Sequence, residues 1–201
     1  MLHWSIDCAL ACHSVDRVIV TTDDPEIRDA ASRLGAEAPF LRPTDLAADE
    51  TSDLPVYRHA LSWLAEHEHY APELVAWLRP TSPLRRPDDV DRSLAILQET
   101  RADAVRAVCL VEHHPEWMRV IEDSRLRPLL ETRALRRQDL PPVYRLTGAV
   151  DCVRVRADGP VAALFDEGDV RPYEMPPERS VDIDSEFDLL VADALVQRQT
   201  G

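Results

Sequence analysis

Residues 74–111 read LVAWLRPTSPLRRPDDVDRSLAILQETRADAVRAVCLV, and their order decides the fold. Leu74 to Leu78 is a short β-rich run, and Arg79-Pro80 breaks it because proline has no N–H to give to a ladder. Asp88 to Gln98 reads as a helix with Val90, Leu94 and Leu97 facing inward. Ala104 to Val111 is again β-rich. Strand, turn, helix, strand is how a largely parallel α/β sheet reads.

The same alternation extends outward. Leu2 to Cys12 reads as a helix, and Val18-Ile19-Val20 as a short buried strand that ends at Thr21-Thr22-Asp23-Asp24. Pro25 opens the next helix at its first turn and Gly35 stops it. Leu54, Tyr57, Leu61 and Leu64 recur at helical spacing. Beyond the central unit, Gly148 to Val155 reads as a strand. Phe187, Leu190, Val191, Ala194 and Leu195 give the strongest amphipathic pattern of the chain. Residues 112–146 are rich in Arg, Pro and Glu without a clean period, as expected of an excursion from the main sheet. Residues 1–201 read as a single domain containing that excursion. Chains of this class usually open on a central strand, whereas this one opens on a helix.

Composition narrows the chemistry. The 201 residues hold 23 basic and 37 acidic side chains, a net charge of −14, which argues against a nucleic-acid binder or a cationic membrane-surface protein. Every basic residue is Arg; without Lys there is no P-loop lysine, Schiff base or Ser–Lys pair. Only five glycines occur, the first at Gly35, so these residues hold no glycine-rich phosphate loop. No apolar run approaches the roughly 20 residues that span a bilayer, and no signal-peptide pattern opens the chain. Cys8, Cys12, Cys109 and Cys152 form no CxxC pair and read as reduced cytosolic thiols. Cys8 and Cys12 share a helix face next to His13, for which metal binding is the lesser reading.

Four segments carry candidate chemistry. In Ser180-Val181-Asp182-Ile183-Asp184-Ser185, two carboxylates alternate on an extended stretch and point the same way. Such a pair is costly unless a cation lies between them, and Mg2+ with substrate phosphates suits it. The plainer reading is a strand end plus a helix cap from Asp184 or Ser185. The segment Arg79-Pro80-Thr81-Ser82-Pro83 follows a strand directly, at the carboxyl edge where open α/β sheets bind ligands. Its hydroxyls and guanidinium suit phosphate or carboxylate, with a proline-rigid turn as the alternative. The loop from Phe40 to Thr51 carries Arg42 among acids, and residues 136–148 carry Arg137 and Arg145; solvated turns and surface ion pairs explain these equally well. His67-Glu68-His69 and Glu112-His113-His114 lack the spacing of a zinc site.

Taken in order, VDRVIVTTDD, FLRPTDLAADETSD, LRPTSPLR, CLVEHHPEWM, RRQDLPPVYRLTGAVD and ERSVDIDSEFD resemble the acylneuraminate cytidylyltransferase family, which makes CMP-activated sialic and related nonulosonic acids. The likeness runs from residue 2 to about residue 197. It implies a Rossmann-like nucleotidyltransferase fold, a mostly parallel sheet flanked by helices, with a small protruding dimerisation segment at about 112–146. It also implies a cytoplasmic homodimeric enzyme that uses CTP, a nonulosonic acid and Mg2+, with neither nucleic acid nor membrane as partner. By the same resemblance Asp182 and Asp184 are the catalytic metal-binding aspartates. Arg42, Thr51, Thr81 and Ser82 border the nucleotide, and Arg79, Arg137, Arg145 and Asp151 border the sugar acid.

Departures from the family pattern bear on the sugar. Arg79 stands where sialic acid enzymes usually carry Gln; an amide donates and accepts, whereas guanidinium only donates. Thr147-Gly148 replaces the usual Asn-Gly, and Asp151 stands where an aromatic often lines the pocket. These differences imply another nonulosonic acid, of the legionaminic type. The family also opens with a strand and a basic, Gly-containing triphosphate loop that have no counterpart here. The resemblance therefore implies that roughly 30 residues are absent ahead of Met1. It implies too that the 201 residues alone are destabilised and have little cytidylyltransferase activity. The alternative is an inactive homologue acting as a sugar-binding or dimer-partner subunit. A dehalogenase-type phosphatase, suggested by Asp182-Ile183-Asp184 alone, is excluded because that family places the motif after its first strand.

Overall fold

The computed structural model describes residues 1–131, 136–156 and 168–200, the side chains of residues 137, 199 and 200 aside. Helix α1 is Leu2–Leu10 and α2 is Pro25–Arg33. Of these first two helices, α2 opens on a side-chain cap and α1 does not. The Asp24 carboxylate caps α2 by accepting from Glu26 N at 2.7 Å and Ile27 N at 3.4 Å, while Pro25 supplies a helical φ. Gly35, at φ +93°, ends it, and a Cβ there would sit 3.3 Å from Leu10 of α1. Helix α3 is Asp53–Glu68, strand β1 is Leu74–Trp77, helix α4 is Pro87–Thr100 and strand β2 is Ala104–Leu110. A hairpin of β3, Arg119–Glu122, and β4, Arg125–Pro128, precedes strands β5, Tyr144–Arg154, and β6, Val170–Glu174. Helix α5 is Glu186–Thr200.

The main sheet has the order β1-β5-β2-β6. Strands β1, β2 and β6 run the same way, but β5 is inserted antiparallel between β1 and β2, so only β2–β6 pairs in parallel. The mostly parallel expectation thus holds for strand directions and is corrected for pairings. Apolar alternation on a strand buried on both faces reads the same in either direction. On one face α4 and α1 pack Val90, Leu94, Leu97 and Cys8 against Val105, Val150 and Cys152. On the other, Tyr57 of α3 packs against Ala104 and Val153 beside Trp77. All four cysteines are free and buried.

Of three further expectations two are corrected, and the excursion from the main sheet is found up to the start of β5 at Tyr144. Val18–Val20 makes a single parallel bridge, Ile19 with Glu37, rather than a strand; among the described residues its paired neighbour is Glu37, which receives Val20 N and donates to Val18 O at 2.8 Å each. The 112–146 excursion holds the β3–β4 hairpin, a separate two-stranded sheet turned at Asp123-Ser124 with positive φ at both. Helix α5 buries Ala192 but leaves Phe187 and Leu190 mostly exposed, so its apolar stripe does not face the core.

β5 is bent where the site lies. Opposite β2 the register slips between Arg106, facing Asp151, and Val108, facing Leu146, so Thr147–Val150 bulge. Thr147 Oγ1 braces the bulge, donating to Ala107 O and accepting from Ala149 N, both at 3.2 Å. Gly148 takes φ +69° at its centre.

Candidate active site

Leu78–Ser82 leaves the carboxyl end of β1 and turns over the β5 bulge, because Pro80 cannot extend the strand. Its shape is held from beneath by Arg85. That guanidinium is buried and donates to the carbonyls of Ser82 at 3.0 Å, Ala149 at 2.8 Å and Arg79, and to Ser5 Oγ at 3.1 Å. Burial pushes its pKa down to about 10, against the opposing influence of the nearby Cys8 and Asp182. Arg85 is therefore a brace of the loop and not one of the solvated arginines a proline-rigid turn would carry.

The loop receives the C-terminal carboxylate segment. Ser82 Oγ donates to Asp182 Oδ1 at 3.4 Å, and Ile183 N donates to Thr81 O at 2.9 Å. Asp182 Oδ2 lies 3.5 Å from the position a Cβ would take on Gly148. Thr81, Ser82, Gly148 and Asp182 therefore meet at one place. Asp184 is exposed two residues on. The cap of α5 is made by Ser185, whose Oγ accepts from Asp188 N at 3.3 Å, while Asp188 accepts from Ser185 N at 2.9 Å. The helix-cap half of the plainer reading is thus met by Ser185, and the Asp184 carboxylate is not spent on capping.

Beside this lies an ion-pair network. Arg79 Nη1 donates to Asp151 Oδ2 at 2.8 Å and to Gly148 O at 3.4 Å, while Nη2 pairs with Asp53. The other oxygen of Asp151 accepts from Arg106 Nε at 3.0 Å. Asp151 is 2% exposed with both oxygens engaged, so it stands behind Arg79 instead of at an open surface. The partnership raises the Arg79 pKa although burial opposes it. Sequence reasoning missed Asp53 and Arg106, which no local pattern links to Asp151.

The remaining expected residues sit apart. Arg145 is exposed, and its Nη2 donates to Ser180 O at 2.7 Å. Arg137 opens the 3-10 turn Arg137–Asp139, and its side chain lies outside the described residues. Thr51 precedes α3, its N–H donating to Ala48 O at 2.9 Å. Arg42 runs alongside the 18–22 segment, with its N–H on Thr22 O at 2.7 Å and Nη2 3.3 Å from Asp23. Arg42 Nε and Thr21 Oγ1 are buried without a partner among the described residues. His114 is structural: Nε2 faces Pro141 O at 3.2 Å, and Nδ1 accepts from Glu116 N.

No cluster of three His, Cys, Asp or Glu side chains suited to a metal occurs among the described residues. Asp182, beside Ser82, and the exposed Asp184 are carboxylates of the kind that Mg2+ takes one or two at a time, its shell completed with phosphate oxygens and water.

The open sheet with helices on both faces, and the hydroxyl-bearing loop that meets Asp182 beyond its strands, are those expected of the nucleotidyltransferase class. Its fold matches the structure of CMP:2-keto-3-deoxy-manno-octonic acid synthetase complexed with CTP, with a TM-score of 0.67 at 16% identity over 98% of this chain and 88% of that one. It also matches 4-diphosphocytidyl-2C-methyl-D-erythritol synthase from Anaerococcus prevotii, with a TM-score of 0.61 at 15% identity over 98% and 85%. Within the class the chain belongs to the cytidylyltransferase family, whose sequence profile matches residues 1–124. It is 27% identical to the CMP-N,N'-diacetyllegionaminic acid synthase of Legionella pneumophila over 96% of this chain and 83% of that protein. To the N-acylneuraminate cytidylyltransferase of Escherichia coli it is 34% identical over 49% of this chain and 22% of that protein. To the pseudaminic acid cytidylyltransferase of Campylobacter jejuni it is 33% identical over 44% and 38%. No helix among the described residues is long and apolar enough to cross a membrane.

Proposed function

We propose that this cytidylyltransferase transfers CMP from CTP to a nonulosonic acid, with a legionaminic-type acid as the preferred sugar. The observation that carries the proposal is the meeting of Asp182 with Ser82 and Gly148 beyond the end of β1. In the reaction the anomeric hydroxyl attacks the α-phosphorus, its oxygen–phosphorus bond replaces the bond to the departing pyrophosphate, and the hydroxyl proton passes to solvent. Asp182 and Asp184 would hold Mg2+, whose charge offsets that growing on the phosphate oxygens. Thr81 is assigned a hydroxyl toward the phosphates, and the buried Ser82 acts on them through its bond to Asp182, from a loop that Arg85 keeps rigid. Arg42 and Thr51 border the cytosine in this reading, which the unpartnered Arg42 Nε and Thr21 Oγ1 support as groups that a ligand would satisfy.

On the sugar side, Arg79 faces the substrate as a donor already fixed by Asp151 and Asp53. Such a group selects acceptors and rejects a donor that an amide would have accepted. Arg137 and Arg145 are assigned to the sugar carboxylate. The legionaminic choice also rests on the likeness to the Legionella synthase. We assign the exposed apolar residues Trp117, Ile121, Leu126 and Leu130 of the excursion to contact with a second copy of the chain in a cytoplasmic homodimer.

The test is pyrophosphate release by the protein expressed from its complete reading frame, supplied with Mg2+, each nucleoside triphosphate and a panel of nonulosonic acids. Turnover with CTP alone among the triphosphates, fastest with the legionaminic-type acid, is expected. A folded protein that releases no pyrophosphate with any panel member overturns the proposal, and clear preference for N-acetylneuraminate overturns the choice of sugar.

A further inference from the structure

Asp89 is fully buried, and donors from three separate parts of the chain converge on its carboxylate. Oδ1 accepts from Tyr173 Oη of β6 at 2.9 Å and from Arg179 Nη2 at 2.8 Å. Oδ2 accepts from Arg86 N, at the start of α4, at 2.8 Å and from Arg179 Nε at 3.1 Å. The two-pronged contact with Arg179 fixes the guanidinium in angle as well as distance. Arg179 closes the 3-10 turn Pro177–Arg179, three residues before Asp182.

Ser180, Asp182 and Ile183 beyond that anchor are each tied. Ser180 is fully buried, with Oγ donating to Pro176 O at 2.8 Å and its carbonyl accepting from Arg145 at 2.7 Å. Ile183 N is bonded to Thr81 O, and Asp182 accepts from Ser82. The segment 180–183 is therefore held at one end by α4 through Arg179 and at the other by the loop after β1. An apolar pair of similar volume would serve stability as well as this buried ion pair does. It would not fix the orientation of residue 179.

We propose that Asp89 is a positioning residue for the metal-binding carboxylates, holding Arg179 so that Asp182 is presented to the Ser82 loop; this rests on the metal role assigned to Asp182 above. A residue that orients a metal ligand changes metal affinity by about 10–100-fold when removed.

The test uses the protein from its complete reading frame with two readouts. One is the Mg2+ concentration giving half-maximal turnover. The other is Mn2+ affinity in the presence of CTP without sugar, read by electron paramagnetic resonance. Asp89→Asn is expected to weaken both by about tenfold or more while KM for CTP at saturating Mg2+ stays within about twofold. Arg179→Gln is expected to act in the same direction, and the double variant to be no worse than the stronger single one. A lower melting temperature with unchanged metal affinity in Asp89→Asn overturns the inference, provided Asp182→Asn weakens Mn2+ binding. If Asp182→Asn leaves Mn2+ binding unchanged, the metal assignment itself fails and this inference with it. Should Asp89→Asn not fold, Arg179→Gln carries both readouts, and Tyr173→Phe, which removes one donor and keeps the ring, decides if neither folds. Unchanged metal affinity in the deciding variant counts against the inference.

Discussion

Ser82 Oγ donates to Asp182 Oδ1 at 3.4 Å across 100 residues of sequence. The bond joins the loop after β1 to the carboxylate pair before α5, and the β5 bulge closes the third side. In the proposed function the hydroxyl-bearing loop and the carboxylates serve one triphosphate, and this contact brings the two segments together.

Gly148 is the first point of attack. Its φ of +69° suits glycine, and a Cβ there would face Asp182 Oδ2 at 3.5 Å and Arg79 Nη1 at 3.6 Å. The space is ordinary, so the cost of Gly148→Ala is conformational, about 1 kcal/mol. Urea unfolding should show that loss, with kcat lowered more than KM for CTP as the bulge shifts beneath Asp182. An unchanged unfolding midpoint would mean that the bulge relaxes freely.

Arg79→Gln tests sugar choice. Glutamine restores an acceptor but releases Asp53 and one oxygen of Asp151, whose other oxygen keeps Arg106. The ratio of kcat/KM for N-acetylneuraminate over the legionaminic-type acid should rise by about tenfold, the worth of one polar contact of roughly 1.4 kcal/mol. A ratio unchanged in a folded variant removes Arg79 from specificity.

The hairpin carries the dimer prediction. Ile121 and Leu126 face each other across β3 and β4 and are 76% and 72% exposed. The chain is expected to be dimeric in light scattering, and Ile121→Arg with Leu126→Arg to make it monomeric while leaving the unfolding midpoint of the main sheet nearly unchanged. A variant that stays dimeric places the interface elsewhere.

Acid should loosen the fold. Glu37 sits below the usual carboxylate range because Arg17 donates to both its oxygens. In Asp91 the upward push of burial is outweighed by hydrogen bonds from His13 N and Ser14 N. Asp188 is lowered by Ser185. The unfolded chain binds more protons than the folded one as pH falls through these values, so their stabilisation is complete above about pH 5 and is lost progressively below it. The urea midpoint should be level from pH 7 to about 5 and then drop, less steeply in Asp91→Asn. A midpoint flat to pH 3 would contradict this.

Much of this was legible locally. Apolar spacing placed the helices, a cap and Pro25 placed the start of α2, and the strand-to-proline break placed the Ser82 loop. Strand β6 was not read, because Val170–Glu174 exposes most of its side chains and contains Pro172. Phe187 and Leu190 made a helical stripe whose side chains stay exposed, since periodicity shows that a face is apolar but not what covers it. Asp182 and Ser82 were read from their own segments. The Asp89–Arg179 pair, 90 residues apart, and the Arg85 brace were not, because their meaning lies in tertiary contacts. Arginine written on paper looks the same whether it is solvated or buried under a loop.

The central claim is that Asp182 and Asp184 make this chain's nucleotidyl transfer depend on a divalent cation. Its most direct test is formation of the CMP-sugar by the protein and by its Asp182→Asn, Asp184→Asn double variant, at saturating CTP, nonulosonic acid and Mg2+. Expected is a fall in kcat of at least about a thousandfold, with the melting temperature of the double variant unchanged or raised by relief of carboxylate repulsion. A double variant that forms the product within tenfold of the unaltered protein contradicts it.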